Sequence, residues 1–188
     1  MQRPATMMTR RMLVAQLAML TLVPRALAED HINRDLDTLF IALRNARNAD
    51  AAARISTRIW RHWLRPKNPV LLELMTEAVT ANAMGNITRS MQILGDITTH
   101  YPDYAEAWNL RATLYFEQRD FAASLADIAE TLKHEPRHYG ALSGRAMIYL
   151  ALGEAAKARQ TILETLKIHP FIAENPPFSD LVKPTVRL

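Results

Sequence analysis

Four arginines, Arg54, Arg58, Arg61 and Arg65, stand 4, 3 and 4 residues apart. On a helix this spacing puts all four guanidinium groups on one narrow stripe. Guanidinium forks hold carboxylates and phosphates through paired hydrogen bonds, so the chemistry open to the stripe is recognition of an anion. Residues 41–68 carry seven basic groups with only Asp50 against them. Like charges one turn apart repel by roughly a few tenths of a kcal/mol each. Either solvent and acids such as Glu73 and Glu77 absorb that repulsion, or an anionic partner does: an acidic protein, lipid headgroups or cell-wall polymer. Trp60 lies off the arginine stripe and off the apolar stripe of the same segment, and is expected at the surface.

Catalytic chemistry finds less to work with. The histidines are His31, His62, His100, His134, His138 and His169. His134 and His138 are four apart, but Pro136 lies between them, so they do not share a helical face. His100 and His134 fall at equivalent places near predicted helix ends, with His169 one residue off, where a cation complements the negative helix terminus. No zinc-ligand spacing, phosphate-cradling glycine loop or nucleophile motif occurs. The chain has no cysteine, which leaves no disulfide and no lipid-anchoring thiol. The expectation is a protein that is not an enzyme, with no cofactor and no metal.

The elements that position these residues begin after a leader. Residues 1–28 run from Arg3, Arg10 and Arg11 through an uncharged stretch, Met12 to Val23, to Pro24 and then Ala26-Leu27-Ala28. Basic, apolar and small-residue regions in that order describe a cleavable secretory signal. The apolar run is shorter than the roughly 20 residues a membrane span requires, so no transmembrane segment is expected after cleavage. Thr9-Arg10-Arg11-Met12-Leu13 partly matches the twin-arginine export signal, but the general secretory route is the expected one, and in a bacterium the destination is the periplasm. The full chain has 23 Lys+Arg and 19 Asp+Glu, and the four arginines of the leader leave 19 against 19 when removed. Global charge therefore gives no argument for nucleic-acid binding.

A period of 34 residues organises the rest. Pro102, Pro136 and Pro170 follow it, as do Gly85, Arg119 and Gly153, and Ala78, Ala112 and Ala146. Small residues recur at Ser90, Ser124 and Ala158, and aliphatic ones at Leu94, Ile128 and Ile162. Each unit, 69–102, 103–136 and 137–170, predicts two amphipathic helices joined by a tight turn and closed by proline. Small residues let the two helices approach, while Leu74, Trp108 and Leu142 fill the space beside that contact. One such pair cannot bury its own apolar stripe, so the pairs must stack. Residues 29–68 predict a divergent helical hairpin, with stripes of Leu36, Leu39, Phe40 and Leu43, then Ala52, Ile55, Ile59 and Trp63.

These units resemble the tetratricopeptide repeat family. The middle one carries Ala107-Trp108, Ala112, Tyr115, Phe121, Ser124, Leu132 and Pro136; the last carries Ala141-Leu142, Ala146, Tyr149, Gly153, Ala158, Leu166 and Pro170. The first unit has Ala81 in place of tyrosine, and Arg119 stands where the family's turn usually has glycine. The resemblance implies an all-α solenoid: antiparallel helix pairs in a right-handed superhelical stack, three repeat units plus one divergent N-terminal pair. It also implies a protein-binding adaptor whose first helices line a concave groove for an extended peptide or a helix. The residues expected there are Met75, Val79 and Asn82, then Asn109, Thr113 and Phe116, then Ser143, Met147 and Leu150. None is a lysine, so capture of a C-terminal carboxylate by the family's lysine and asparagine arrangement is not expected. The tail, 171–188, holds Pro176-Pro177 and Pro184. It predicts a turn at 171–174 and then an extended segment, whose Phe178, Leu181 and Val182 either cover the last repeat or fill the groove.

Overall fold

The structure, a computed structural model, describes residues 35–174 and 177–182. The expected leader lies outside the described residues. The chain divides into two units, residues 1–39 and 40–188, and of the first only 35–39 are described. Those five residues are helical; everything below concerns the second unit.

Helices make up all the regular structure among the described residues. Residues 40–44 are helical (α1), followed by α2 (Ala49–Leu64), α3 (Pro69–Ala83), α4 (Ile87–His100), α5 (Ala105–Glu117), α6 (Phe121–His134), α7 (Tyr139–Ala151), α8 (Ala155–Leu166) and α9 (Phe178–Val182). α3 pairs with α4, α5 with α6 and α7 with α8, and each pair packs on the next through α4 with α5 and α6 with α7. The solenoid of antiparallel helix pairs is thus present.

The same turn closes each first helix. Gly85 and Gly153 have φ 77°, and Arg119 has φ 61°. The residue after each donates to the carbonyl five positions back, Asn86 to Ala81, Asp120 to Tyr115 and Glu154 to Tyr149, at 2.8–2.9 Å. That bond and the left-handed residue before it make the helix-terminating motif for which glycine is best suited. Asn86 and Asp120 then cap the second helices, their side chains accepting from the amides of Arg89 and Ala123.

Inside the pairs, the recurring small residues do the same job twice. Ser90 Oγ donates to the Ala78 carbonyl at 2.9 Å, and Ser124 Oγ to the Ala112 carbonyl at 2.7 Å. A hydroxyl reaches a neighbouring helix's backbone only where no larger side chain separates the two axes. In the third pair Ala146 and Ala158 hold the same places without the hydroxyl, both fully buried. Arg111 ties one pair to the next, bonding Asp127 of its own pair at 2.7 and 2.8 Å and Thr98 of the preceding pair at 2.8 Å. The Asp127 bond raises the Arg111 pKa further.

Two elements differ from expectation. Instead of covering α3, where Val70, Leu72 and Val79 stay exposed, α2 packs on α5 and on the start of α7. The tail is not extended after its turn at 171–173: Phe178–Val182 makes a short helix on α8. Phe178, Leu181 and Val182 pack against the cluster of Ala146, Ile162 and Ala173. Pro177 stands immediately before that helix, where a proline's fixed φ starts a helix instead of preventing one.

Candidate functional site

Two hollows lie where the first helix of one pair faces that of the next, α3 with α5 and α5 with α7. The larger, about 210 Å³, lies between α5, α6 and α7. Asn109, Thr113 and Phe116 of α5 face Gly140, Gly144 and Met147 of α7 across it, with Ser124 and Ile128 of α6 behind. Its floor follows from two glycines one turn apart. At Gly144 an added Cβ would lie 3.6 Å from Ile128 Cδ1, an ordinary contact, so the bare backbone there leaves space. A smaller hollow of about 70 Å³ lies between α3, α4 and α5, lined by Val79, Asn82, Leu110 and Thr113 among others.

Most residues expected in the groove stand at these hollows. Val79, Asn82, Asn109, Thr113, Phe116 and Met147 line one or the other. Met75 does not; only 2% exposed, it belongs to the core with Leu71, Ile93 and Leu94. Ser143 turns its hydroxyl back to the Tyr139 carbonyl at 2.8 Å, and Leu150 is half-buried outside either hollow. Asn109 is buried and donates to Glu106 Oε1 at 3.3 Å. The tail does not line the hollows; its described part sits on the last pair.

Comparison with known proteins fits this geometry. A family described as tetratricopeptide repeat matches residues 109–171. A TPR repeat-containing protein of Rhizobium etli is 33% identical over 100 residues, 53% of this chain and 49% of that protein. Over these residues the chain is similar to tetratricopeptide repeat proteins. Its match spans about half the length of that relative. Such repeats are protein–protein interaction scaffolds, generally without catalysis of their own.

Beside the hollows lies a polar and aromatic seam that the sequence did not disclose. His138 and Glu106 are wholly buried, with Nε2 and Oε2 2.9 Å apart. His138 also caps α7, its Nδ1 accepting from the Ala141 amide at 3.1 Å. A nitrogen that accepts carries no proton, so Nε2 holds the proton and donates it to Glu106. The Trp63 ring stacks on the imidazole at 3.9 Å and 13°. Trp60 meets Trp63, His138 and Tyr139 edge-on at 5.1–5.8 Å. Its expected surface position is therefore corrected: it is half-buried against the start of α7, because Gly140 offers no side chain there.

Further bonds fasten α2 to the repeats. The Tyr104 hydroxyl donates to the Trp63 carbonyl, Tyr139 donates to the Ser56 carbonyl at 3.3 Å, and Ser56 Oγ meets His169 Nε2 at 3.0 Å. Burial pushes both tyrosine hydroxyls well above their usual range, with the Glu106 charge adding to it. Burial also lowers His169. His169, read from sequence as a helix-end cation, is thus a buried neutral partner of α2. His100 and His134 do stand at helix ends, His100 Nδ1 2.8 Å from the Asp96 carbonyl and His134 near Asp103 and Glu130.

On the opposite side of α2, Arg54, Arg58, Arg61 and Arg65 are all exposed. Glu77, one acid expected to balance them, pairs instead with Arg89 at 2.6 Å. Among the described residues no group of three or more His, Cys, Asp or Glu is placed to hold a metal ion, and no helix is long and apolar enough to cross a membrane.

Proposed function

We propose that the chain is an exported adaptor that holds an apolar peptide or an amphipathic helix against the first helices of its repeats. The observation that carries this reading is the hollow between α5 and α7. Gly144 leaves one wall as bare backbone while Phe116, Ile128 and Met147 make the others apolar. An apolar anchor side chain gains affinity by leaving water there, and Asn109 and Thr113 offer polar groups for the backbone that carries it. Helix-in-groove recognition needs only this combination of anchors and a few oriented polar groups.

A photo-reactive side chain at exposed Thr113 should capture a partner in the native compartment, and one at exposed Thr88 on α4 should not. Gly144→Leu fills the hollow and should abolish the capture while the repeats stay folded. Capture that survives the filled hollow refutes the groove reading. Export rests on residues 1–28 alone, and the mature chain should begin at Glu29. A chain that keeps its leader in the cytoplasm ends that part of the reading.

A further inference from the structure

The two faces of α2 carry the same ladder. Ala52, Ser56, Ile59 and Trp63 are its buried residues, spaced 4, 3 and 4. Arg54, Arg58, Arg61 and Arg65 repeat that spacing two positions later. Two residues are about 200° around a helix, so Arg54, Arg58 and Arg61 point almost straight away from the body of the protein, and exposed Arg65 caps the end of α2. The inward ladder is fixed by the Trp63 stack on His138 and by the bonds of Ser56 with Tyr139 and His169. The row is therefore mounted on a rigid support.

We propose that this row is a docking line for an acidic α-helix of another protein. Three features select that partner. The row is long and narrow, about 16 Å by about 60° of helix surface, which fits a one-dimensional anion and wastes most of a flat one. Ala53 and Thr57 flank it, small enough for a second helix to come close. The aromatic groups that would anchor the helix in a bilayer interface, Trp60 and Trp63, are turned inward. None of the four arginines has an ion pair among the described residues, and Glu77 is taken by Arg89.

Glutamates at the same 4, 3, 4 spacing on a facing helix would stand opposite the arginines. The pattern reads the same in both directions, so it admits a parallel or an antiparallel helix. Paired guanidinium–carboxylate bonds supply the geometry. The contact is independent of the groove, which lies on the repeats.

The test uses the full chain and two labelled helical peptides of identical composition. One carries four glutamates at 4, 3, 4 spacing; the other distributes them around the helix. Anisotropy at 50 mM salt should show the first binding at least fivefold tighter, weakening tenfold or more by 300 mM. Arg58→Gln with Arg61→Gln should reduce its affinity to that of the scrambled peptide, with an unchanged melting curve because both side chains are exposed. Equal binding of the two peptides, or binding that survives the double substitution, overturns the proposal. So does row-dependent sedimentation with phosphatidylglycerol vesicles that exceeds binding of the ordered peptide, which would make the partner a lipid surface.

Discussion

Gly140 is where the packing of α2 on the repeats is tightest. A Cβ built there would lie 2.7 Å from Trp60 Cη2, 2.9 Å from Trp60 Cζ2 and 3.2 Å from His138 Cε1. The indole cannot retreat freely, because it meets Trp63, His138 and Tyr139 edge-on. Gly140→Ala therefore forces the ring outward. Overpacking of this kind costs about 1–3 kcal/mol, and a lost aromatic contact adds about 0.5–1.5 kcal/mol. Alanine returns at most about 1 kcal/mol through helix propensity, and less at the second residue of α7. The net expectation is a loss of about 1–4 kcal/mol, a fall in Tm of at least about 2 °C for a chain of this size. Urea melts followed by circular dichroism and by tryptophan fluorescence would measure it. Repeating the substitution in a Trp60→Ala background isolates the cause: with the ring gone, Gly140→Ala should be neutral or slightly stabilising. A penalty that persists without Trp60, or no penalty with it, refutes the packing described.

Gly144→Ala, one turn along the same helix, should act in the opposite direction and stabilise by about 0.5–1 kcal/mol, since its Cβ meets only Ile128 at 3.6 Å; a melting curve shifted downward would contradict the open hollow. Arg119→Gly relieves a left-handed residue and loses a guanidinium over Phe121 at 5.3 Å; stability should stay level or rise by up to about 1 kcal/mol, and a clear fall in the urea midpoint would mean that the side chain holds the turn. Truncation after Glu174 removes Phe178, Leu181 and Val182 from the last pair and should lower Tm measurably, whereas an unchanged melt would show that α9 contributes nothing. Because burial lowers the folded His169 pKa, the unfolded chain takes up the proton first as pH falls; this contribution is complete above the ordinary histidine value of about 6.5 and is lost as pH drops through the lower folded value, so His169→Gln should flatten the decline of stability between pH 7 and pH 5.

The 34-residue period disclosed the helix pairs because each recurring type answers a local demand. A left-handed turn selects glycine at 85 and 153, and close helix axes select Ala78 with Ser90 and Ala112 with Ser124. Demands of this kind are met within about 15 residues, so they leave a pattern in the chain. The seam left none. His138 meets Glu106 across 32 residues and Ser56 meets His169 across 113, and no periodicity links such positions. Trp60 illustrates the difficulty. Its place on α2, at the margin of the buried ladder, is compatible with solvent or with burial, and a glycine 80 residues later in the chain decides which. Met75 went to the core for a related reason: at the edge of the stack α3 has no preceding pair, and its apolar residues turn toward α4 and α5.

The uncovered outer side of α3 and the placement of α2 are one fact. In a regular stack a preceding pair would lie against the outer side of α3, and α2 is the only described helix of suitable length before it. Instead α2 spends its apolar ladder on α5 and α7. The sequence makes that choice favourable: Trp60 and Trp63 find His138, Tyr139 and the gap at Gly140, while α3 offers Glu73, Thr76, Glu77 and Thr80 on its outer side. Large aromatic groups gain most where they exclude water on several sides, and that polar helix face cannot enclose them. The same displacement carries the arginines to the outside: once the 52–63 ladder is pinned to the repeats, the 54–65 ladder has nowhere to face except away. Restoring a side chain at 140 should therefore disturb two things at once, the seat of Trp60 and the orientation of the arginine row. Ordered-peptide binding that Gly140→Ala weakens, with every arginine still in place, would show that the row works through its mounting as well as through its charge.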